Sequence, residues 1–189
     1  MIADALSFVT NQLDDFLKRK TSETKSIVRL SGLVMPDGAA AVTEENTLVL
    51  SVVNIAEESS IANQSNFSRQ GNTILKQAPP VYVNVYILVS ALFNENQYLV
   101  GLHWLTLAIG FFQQHPYFNS QQTAMPKGID KLSFELVSLT IEDAGKFWTS
   151  LGARYQPSVI YKIRMLKISE DTIEGVLPEI LDPKVNLRP

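Results

Sequence analysis

Apolar residues at Ile2, Leu6, Val9, Leu13 and Phe16 fall three or four positions apart, with Leu17 next to the last, and predict an amphipathic helix of about 18 residues. Its opposite face carries Asp4, Thr10, Asn11, Gln12 and Lys18, so this helix is expected on a surface, with Lys18, Arg19 and Lys20 at the negative end of its dipole. A short strand is predicted over Ser26–Leu30, followed by a loop or hairpin tip around Gly32, Pro36, Asp37 and Gly38. In the next strand, Thr47–Glu57, alternation sets Leu48, Leu50, Val52 and Asn54 against Val49, Ser51, Val53 and Ile55. Both faces are largely apolar, so the strand belongs inside its sheet. Residues 59–78 are rich in Ser, Asn and Gln and read as a long exposed loop. Pro79 and Pro80 then lead into a strand over Val81–Phe93, one face of which, Val81, Val83, Val85, Ile87 and Val89, is wholly apolar.

Residues 95–115 predict a helix of a different kind. At about 100° per residue, Tyr98, Leu102, Leu105, Ile109 and Phe112 form one stripe, and Val100, Trp104, Leu107 and Phe111 form a second nearly opposite. Gly101, His103, Thr106, Ala108 and Gly110 lie between them, leaving no broad charged face, so the helix is expected to be covered on two sides. A membrane span does not fit, because Tyr98 to Phe112 rises only roughly 22 Å against a hydrocarbon core of about 30 Å. Gln97, Gln113, Gln114 and His115 would also have to enter the bilayer in a longer helix.

After Pro116 and a loop containing Pro126 and Gly128, a strand is predicted over Lys131–Leu139. Next comes a helix that Thr140 and Asp143 cap at its start, that Ala144, Phe147, Trp148 and Leu151 make amphipathic, and that Gly152 closes. In the last strand, Ser158–Ile168, Tyr161, Ile163 and Met165 alternate with Lys162, Arg164 and Leu166, giving one buried face and one partly basic face. Together these elements predict an α+β fold, a mainly antiparallel sheet with helices packed on it, as a single domain over residues 1–175 with an extended tail over 176–189.

Composition narrows the function classes. The 189 residues are 46% apolar and 19% charged, ordinary for a globular domain with a sizeable core, and a net charge of −3 argues against binding that neutralises many phosphates. Without cysteine there is no disulfide framework, thiolate nucleophile or cysteine metal site. The N-terminus does not read as a signal peptide, since Asp4, Asp14 and Asp15 interrupt it, and this makes the Asn63 and Asn66 N-x-S triplets chance matches rather than glycosylation acceptors. His103 and His115 have no carboxylate or second histidine at ligand spacing and read as a hydrogen-bonded helix residue and a helix C-cap. Nucleophile elbows, phosphate loops and H-E-x-x-H are missing, so the expectation is no catalysis, no cofactor and no metal; a small hydrolase would need a polar cleft the sequence does not advertise.

Five segments in order carry a family resemblance: the M-I-x-x-A-L start, V-V-N-I-A-E-E at Val52–Glu58, P-P-V-Y-V-N-V-Y-I-L-V-S-A at Pro79–Ala91, a helix ending in His115-Pro116, and F-W-T-S-L-G-A-R-Y-Q-P-S-V-I-Y-K-I-R at Phe147–Arg164. Over almost its whole length the chain resembles the cap, or tail-terminator, proteins of extracellular contractile injection systems, the phage-tail-like particles that bacteria make and release. Relatives in that family carry a further C-terminal region. The resemblance implies a structural protein: a homohexameric ring on the distal end of the inner tube and contractile sheath, ending polymerisation and anchoring sheath to tube. It also implies assembly in the bacterial cytoplasm before incorporation into an extracellular particle, with sheath and tube proteins as partners and neither nucleic acid nor membrane insertion. A transient assembly adaptor or chaperone is the alternative. Closing a ring takes two different surfaces per subunit. The second stripe, Val100, Trp104, Leu107 and Phe111, is the expected subunit contact, and Asn66, Phe67, Arg69, Val185 and Leu187 are expected to meet sheath, tube or neighbour.

Overall fold

The computed structural model of the chain describes residues 1–43, 46–58, 67–70, 73–77, 81–168 and 173–177. Among the described residues three α-helices, α1 (Ile2–Thr21), α2 (Tyr98–Gln114) and α3 (Ile141–Leu151), accompany nine strands: β1 (Val28–Leu30), β2 (Thr47–Glu57), β3 (Phe67–Gln70), β4 (Thr73–Gln77), β5 (Val81–Leu92), β6 (Tyr117–Asn119), β7 (Lys131–Val137), β8 (Ser158–Ile168) and β9 (Ile173–Leu177). Six strands form the main sheet in the order β1-β2-β5-β8-β7-β6, and β3-β4-β9 form a second, small sheet. The fold is α+β as expected. The main sheet is mixed, however, because β1 runs parallel to β2 while its other neighbours are antiparallel.

That parallel pair has a local cause. The predicted tip at Pro36–Gly38 does turn, with Gly38 at φ 84°, Gly38 N–H donating to the Met35 carbonyl and Met35 N–H to Ala39. This hairpin closes on itself through Val34 and Ala40 instead of joining β1 to β2, so the chain crosses over and enters β2 in the same direction as β1.

On one face of the sheet, Val83, Val85, Ile87, Val89 and Ala91 of β5, Leu48 and Leu50 of β2, and Tyr161, Ile163 and Leu166 of β8 form the main core beneath α1 and α2. Phe16, Phe111, Phe112, Phe118 and Phe134 interleave there with ring centroids 5.1–6.1 Å apart, in the tilted and edge-on arrangements that aromatic quadrupoles favour. On the other face a smaller cluster, Leu88, Ile160 and Trp148, lies beneath α3 with Leu33, Val53 and Val137 around it. Farther along that outer face, charged side chains pair across the strands. Arg164 lies 3.5 Å from Glu58 and 3.7 Å from Glu135, which is 4.0 Å from Lys162, and Asn84 Nδ2 donates to Glu58 at 3.0 Å. The expected basic face is thus a set of mixed-sign cross-strand pairs.

Bulges alter two of the predicted alternations. Val52 pairs with Ile87 but Asn54 with Tyr86, so these two β2 residues lie on opposite faces rather than the same one. Val85 pairs with Ile163 but Val83 with Leu166, which turns Leu166 into the main core instead of leaving it on the face of Lys162 and Arg164. The predicted loop 59–78 contains the antiparallel β3–β4 hairpin, and β9, also unpredicted, pairs with β4 and runs across the expected boundary at 175/176. Neither the hairpin nor β9 has the apolar alternation of a half-buried strand. Pro79, Pro80 and residues 178–189 lie outside the described residues.

One polar side chain fixes α1 to the sheet. Asp14, on the helix face turned to β1, accepts from Ile27 N–H at 2.6 Å and Val28 N–H at 2.9 Å through Oδ1, while Oδ2 meets Lys18 Nζ at 2.7 Å. Thr10, placed by the sequence on the polar face, is also buried and donates to the Leu6 carbonyl at 2.7 Å. Burial pushes the Asp14 carboxyl up, but the Lys18 hydrogen bond and the Val28 and Ile27 N–H groups outweigh it and hold the group below its usual 3.8. A depressed folded value stabilises the fold above the unfolded pKa, and that contribution disappears as pH falls through the folded value. Asp14→Ala, which strands two buried N–H groups, should cost about 3 kcal/mol in urea unfolding. Asp14→Asn, which keeps an oxygen for them, should cost about 1 kcal/mol and should flatten the loss of stability at acid pH.

Candidate interaction surfaces

Packing of α2 against the sheet determines which of its residues are available to a partner. Gly101, Trp104, Leu105, Ala108, Phe111 and Phe112 face inward as one continuous arc. The arc falls between the two predicted stripes and takes Leu105 and Phe112 from the first and Trp104 and Phe111 from the second. Both residues from the second stripe belong to the subunit's own core, Trp104 at 9% exposure and Phe111 at 2%. Phe111 is thus enclosed in its own subunit, while Trp104 also borders, with Val100, a cleft at the start of α2. Of the four residues expected at a subunit contact, Val100 is exposed and Leu107 is half-buried against the main core.

Glycine at 101 permits this close packing. A Cβ there would come within 2.7 Å of the Phe93 ring, which in turn meets Trp104 edge-on at 5.2 Å. The exposed apolar residues of α2 gather in its first turn, where Leu99 is 78% exposed and Tyr98 and Val100 accompany it. Just before that turn, Glu95 and Asn96 lie in a 3-10 turn capped by Asn94, whose side chain accepts from Gln97 N–H at 3.1 Å.

A second apolar surface surrounds α3 on the opposite face of the sheet. Thr140 caps the helix as predicted, accepting from Asp143 N–H at 3.1 Å and donating to the Asp143 carboxylate at 2.7 Å, and Gly152 closes it at φ 67°. Trp148 is its one buried residue. The indole forms part of three clefts: about 340 Å³ beneath the Val34–Ala40 hairpin, about 310 Å³ toward Leu139 and Val159, and about 560 Å³ toward Ile141 and Tyr155. Tyr155 stands edge-on to it at 5.6 Å, and Ile141 is 95% exposed. Sequence reasoning took this helix only as a packed amphipathic element; the signal for a surface was present in Leu139 and Ile141, two large apolar residues flanking the cap.

A further cleft, about 950 Å³, has a mixed polar and apolar lining and lies between the α1–β1 connection and the start of α2, with Lys25, Arg29, Asn46, Gln97, Val100 and Trp104 among its residues. His115 caps α2, its backbone N–H bonding the Phe111 carbonyl at 2.9 Å and its Nδ1 3.0 Å from the same oxygen, with its ring stacked on Phe118. His103 is exposed on α2. Among the described residues no three His, Cys, Asp or Glu side chains gather as metal ligands, and no helix is long and apolar enough to cross a membrane. Burial raises the Tyr161 phenol beneath Phe112, a core position without solvent-facing chemistry. Phe67 and Arg69 fall on β3; Asn66, Val185 and Leu187 lie outside the described residues.

The α+β domain thus has exposed apolar residues on both of its helical layers. The chain is a member of the Pvc16 N-terminal domain family, whose model matches residues 8–181. The structure of a PVC sheath/tube terminator, solved in the extended state of an extracellular contractile injection system, shares this fold with a TM-score of 0.67 and 13% identity, covering 100% of this chain and 64% of that one. The tube-terminating cap of the anti-feeding prophage has a TM-score of 0.52 and 15% identity, covering 90% of this chain and 57% of that one. The chain thus spans less than two thirds of the length of either. No curated protein sequence matches it.

Substituting Gly101 tests the close packing of α2. Gly101→Ala should raise intrinsic helix propensity by about 1 kcal/mol and still destabilise the protein by about 2 kcal/mol, because Phe93 must move. Its thermal midpoint should fall; a rise would mean that the ring gives way freely.

Proposed function

We propose that the chain is the structural cap of a contractile injection particle: copies close into a hexameric ring on the distal end of the inner tube and contractile sheath, where they end polymerisation and hold sheath to tube. The observation that carries this reading is the family match over residues 8–181 together with likeness in fold to a sheath/tube terminator along the whole chain. Exposed apolar residues at the start of α2 and around α3 support it, since a head-to-tail ring requires two different contact faces. The role is one of contact rather than turnover, with assembly in the bacterial cytoplasm and release in an extracellular particle as parts of the same reading.

Contact with sheath or tube is assigned to the β3–β4 hairpin, which carries Phe67 and Arg69. Its strand β4 leads toward β5, and its partner β9 follows β8, so the small sheet repeats the antiparallel pairing of β5 with β8. Deleting the gene should leave particles with tubes and sheaths of uncontrolled length in electron micrographs, and mass spectrometry of wild-type particles should find one ring of the protein per particle. Normal lengths without the gene, or its absence from purified particles, would favour the transient adaptor. Arg69→Glu should preserve self-association and reduce co-purification with sheath and tube.

A further inference from the structure

We propose that residues 138–156, the connection from β7 to β8 that carries α3, form a flap that lifts from the sheet as one unit while the rest of the domain stays folded. The inference stands apart from the cap reading. Its ground is the way the segment is attached. Among the described residues, every hydrogen bond and ion pair of residues 138–156 has its partner inside the same segment: Thr140 with Asp143, Glu142 with Lys146, Thr149 with the Gly145 carbonyl, Ser150 with the Lys146 carbonyl, and Gly152 N–H with the Thr149 carbonyl. The ring contacts are internal too, since Phe147 and Tyr155 both meet Trp148. By contrast α1 is tied to β1 through the Asp14 carboxylate.

Apolar contact centred on one side chain therefore holds the flap down. Trp148, the one residue that α3 buries, packs with Leu88 and Ile160, and Leu33, Val53 and Val137 border them. Clefts of about 340 and 310 Å³ lie between the flap and the body, and the indole borders both, so it acts as a peg and not as part of a close-packed layer. Topology leaves the movement free. β7 and β8 are antiparallel neighbours with Val137 opposite Ile160, so both ends of the flap are held side by side and lifting it breaks no strand pairing. Because its polar partners travel with it, lifting strands no buried donor or acceptor. An element held by so few buried apolar contacts opens well before the whole domain unfolds. Opening uncovers Leu88 and Ile160, at 0% and 8% exposure when the flap is down, which makes it a cover over an apolar strip of the sheet.

Native-state hydrogen exchange of the full chain over a series of low urea concentrations tests this. Once lifted, the 11-residue helix is marginal in water, so its amides exchange. Those of residues 145–151 should exchange roughly a hundredfold faster than the amides of α2 and β5. Their rates should hardly change with urea, because lifting the flap exposes little surface. Trp148→Ala removes the peg and should bring the same amides close to unprotected exchange, with α1, α2 and β5 still protected. Equal protection and equal urea dependence of α3 and β5 in the wild type would overturn the flap. So would α3 protection that survives Trp148→Ala, or loss of protection along the whole chain in that variant.

Discussion

β5 is enclosed on both faces from Val83 to Ala91, and this burial governs the arrangement of the other elements. One face is a run of valine, isoleucine and alanine; the other passes from Asn84 through Tyr86 to Leu88 and Ser90. A strand of that kind must exclude water on both sides and pair along both edges. β2 and β8 supply the edges, α1 and α2 cover the first face, and α3 with the 33–42 crossover covers the apolar end of the second. Where the outer face turns polar at Asn84, the Glu58, Arg164, Glu135 and Lys162 pairs replace apolar contact with cross-strand ion pairs.

The two layers differ in strength. α1 and α2 share the large aromatic core, and the Asp14 carboxylate holds α1 to the first residues of β1. By contrast α3 is attached mainly through Trp148, so its flanks stay apolar and open. Under the proposed cap role, these open apolar flanks are surface left for a neighbouring chain. The contact surfaces are consequences of packing. Gly101 lets α2 approach Phe93 with Leu99 left on its outer side, and Trp148 is the one side chain that α3 buries.

Regular elements with strong local signals were legible from the chain alone. The strands over Thr47–Glu57 and Ser158–Ile168, the Thr140 and Asp143 cap and the Gly152 stop match the structure residue for residue, because periodicity and capping depend on side chains within a few positions of one another. The small strands β3, β4, β6 and β9 gave no such signal, being short or carried on polar sequence. In α2 the two stripes were both present, but an apolar helix does not state which arc its sheet will take.

Sequence by itself determined the α+β composition, most of the helices and long strands, and, through five ordered segments, the terminator-like family. The tertiary structure decided what depends on residues far apart: the parallel placement of β1, the bulges that turn Leu166 inward and separate Val52 from Asn54, the capture of Trp104 and Phe111 by the core, and the role of Asp14, whose partners lie across the α1–β1 turn. The division has one physical cause. Backbone geometry writes helix and strand periods into neighbouring residues, whereas register, facing and burial are set by which distant surfaces meet, and those contacts exist only once the chain has folded.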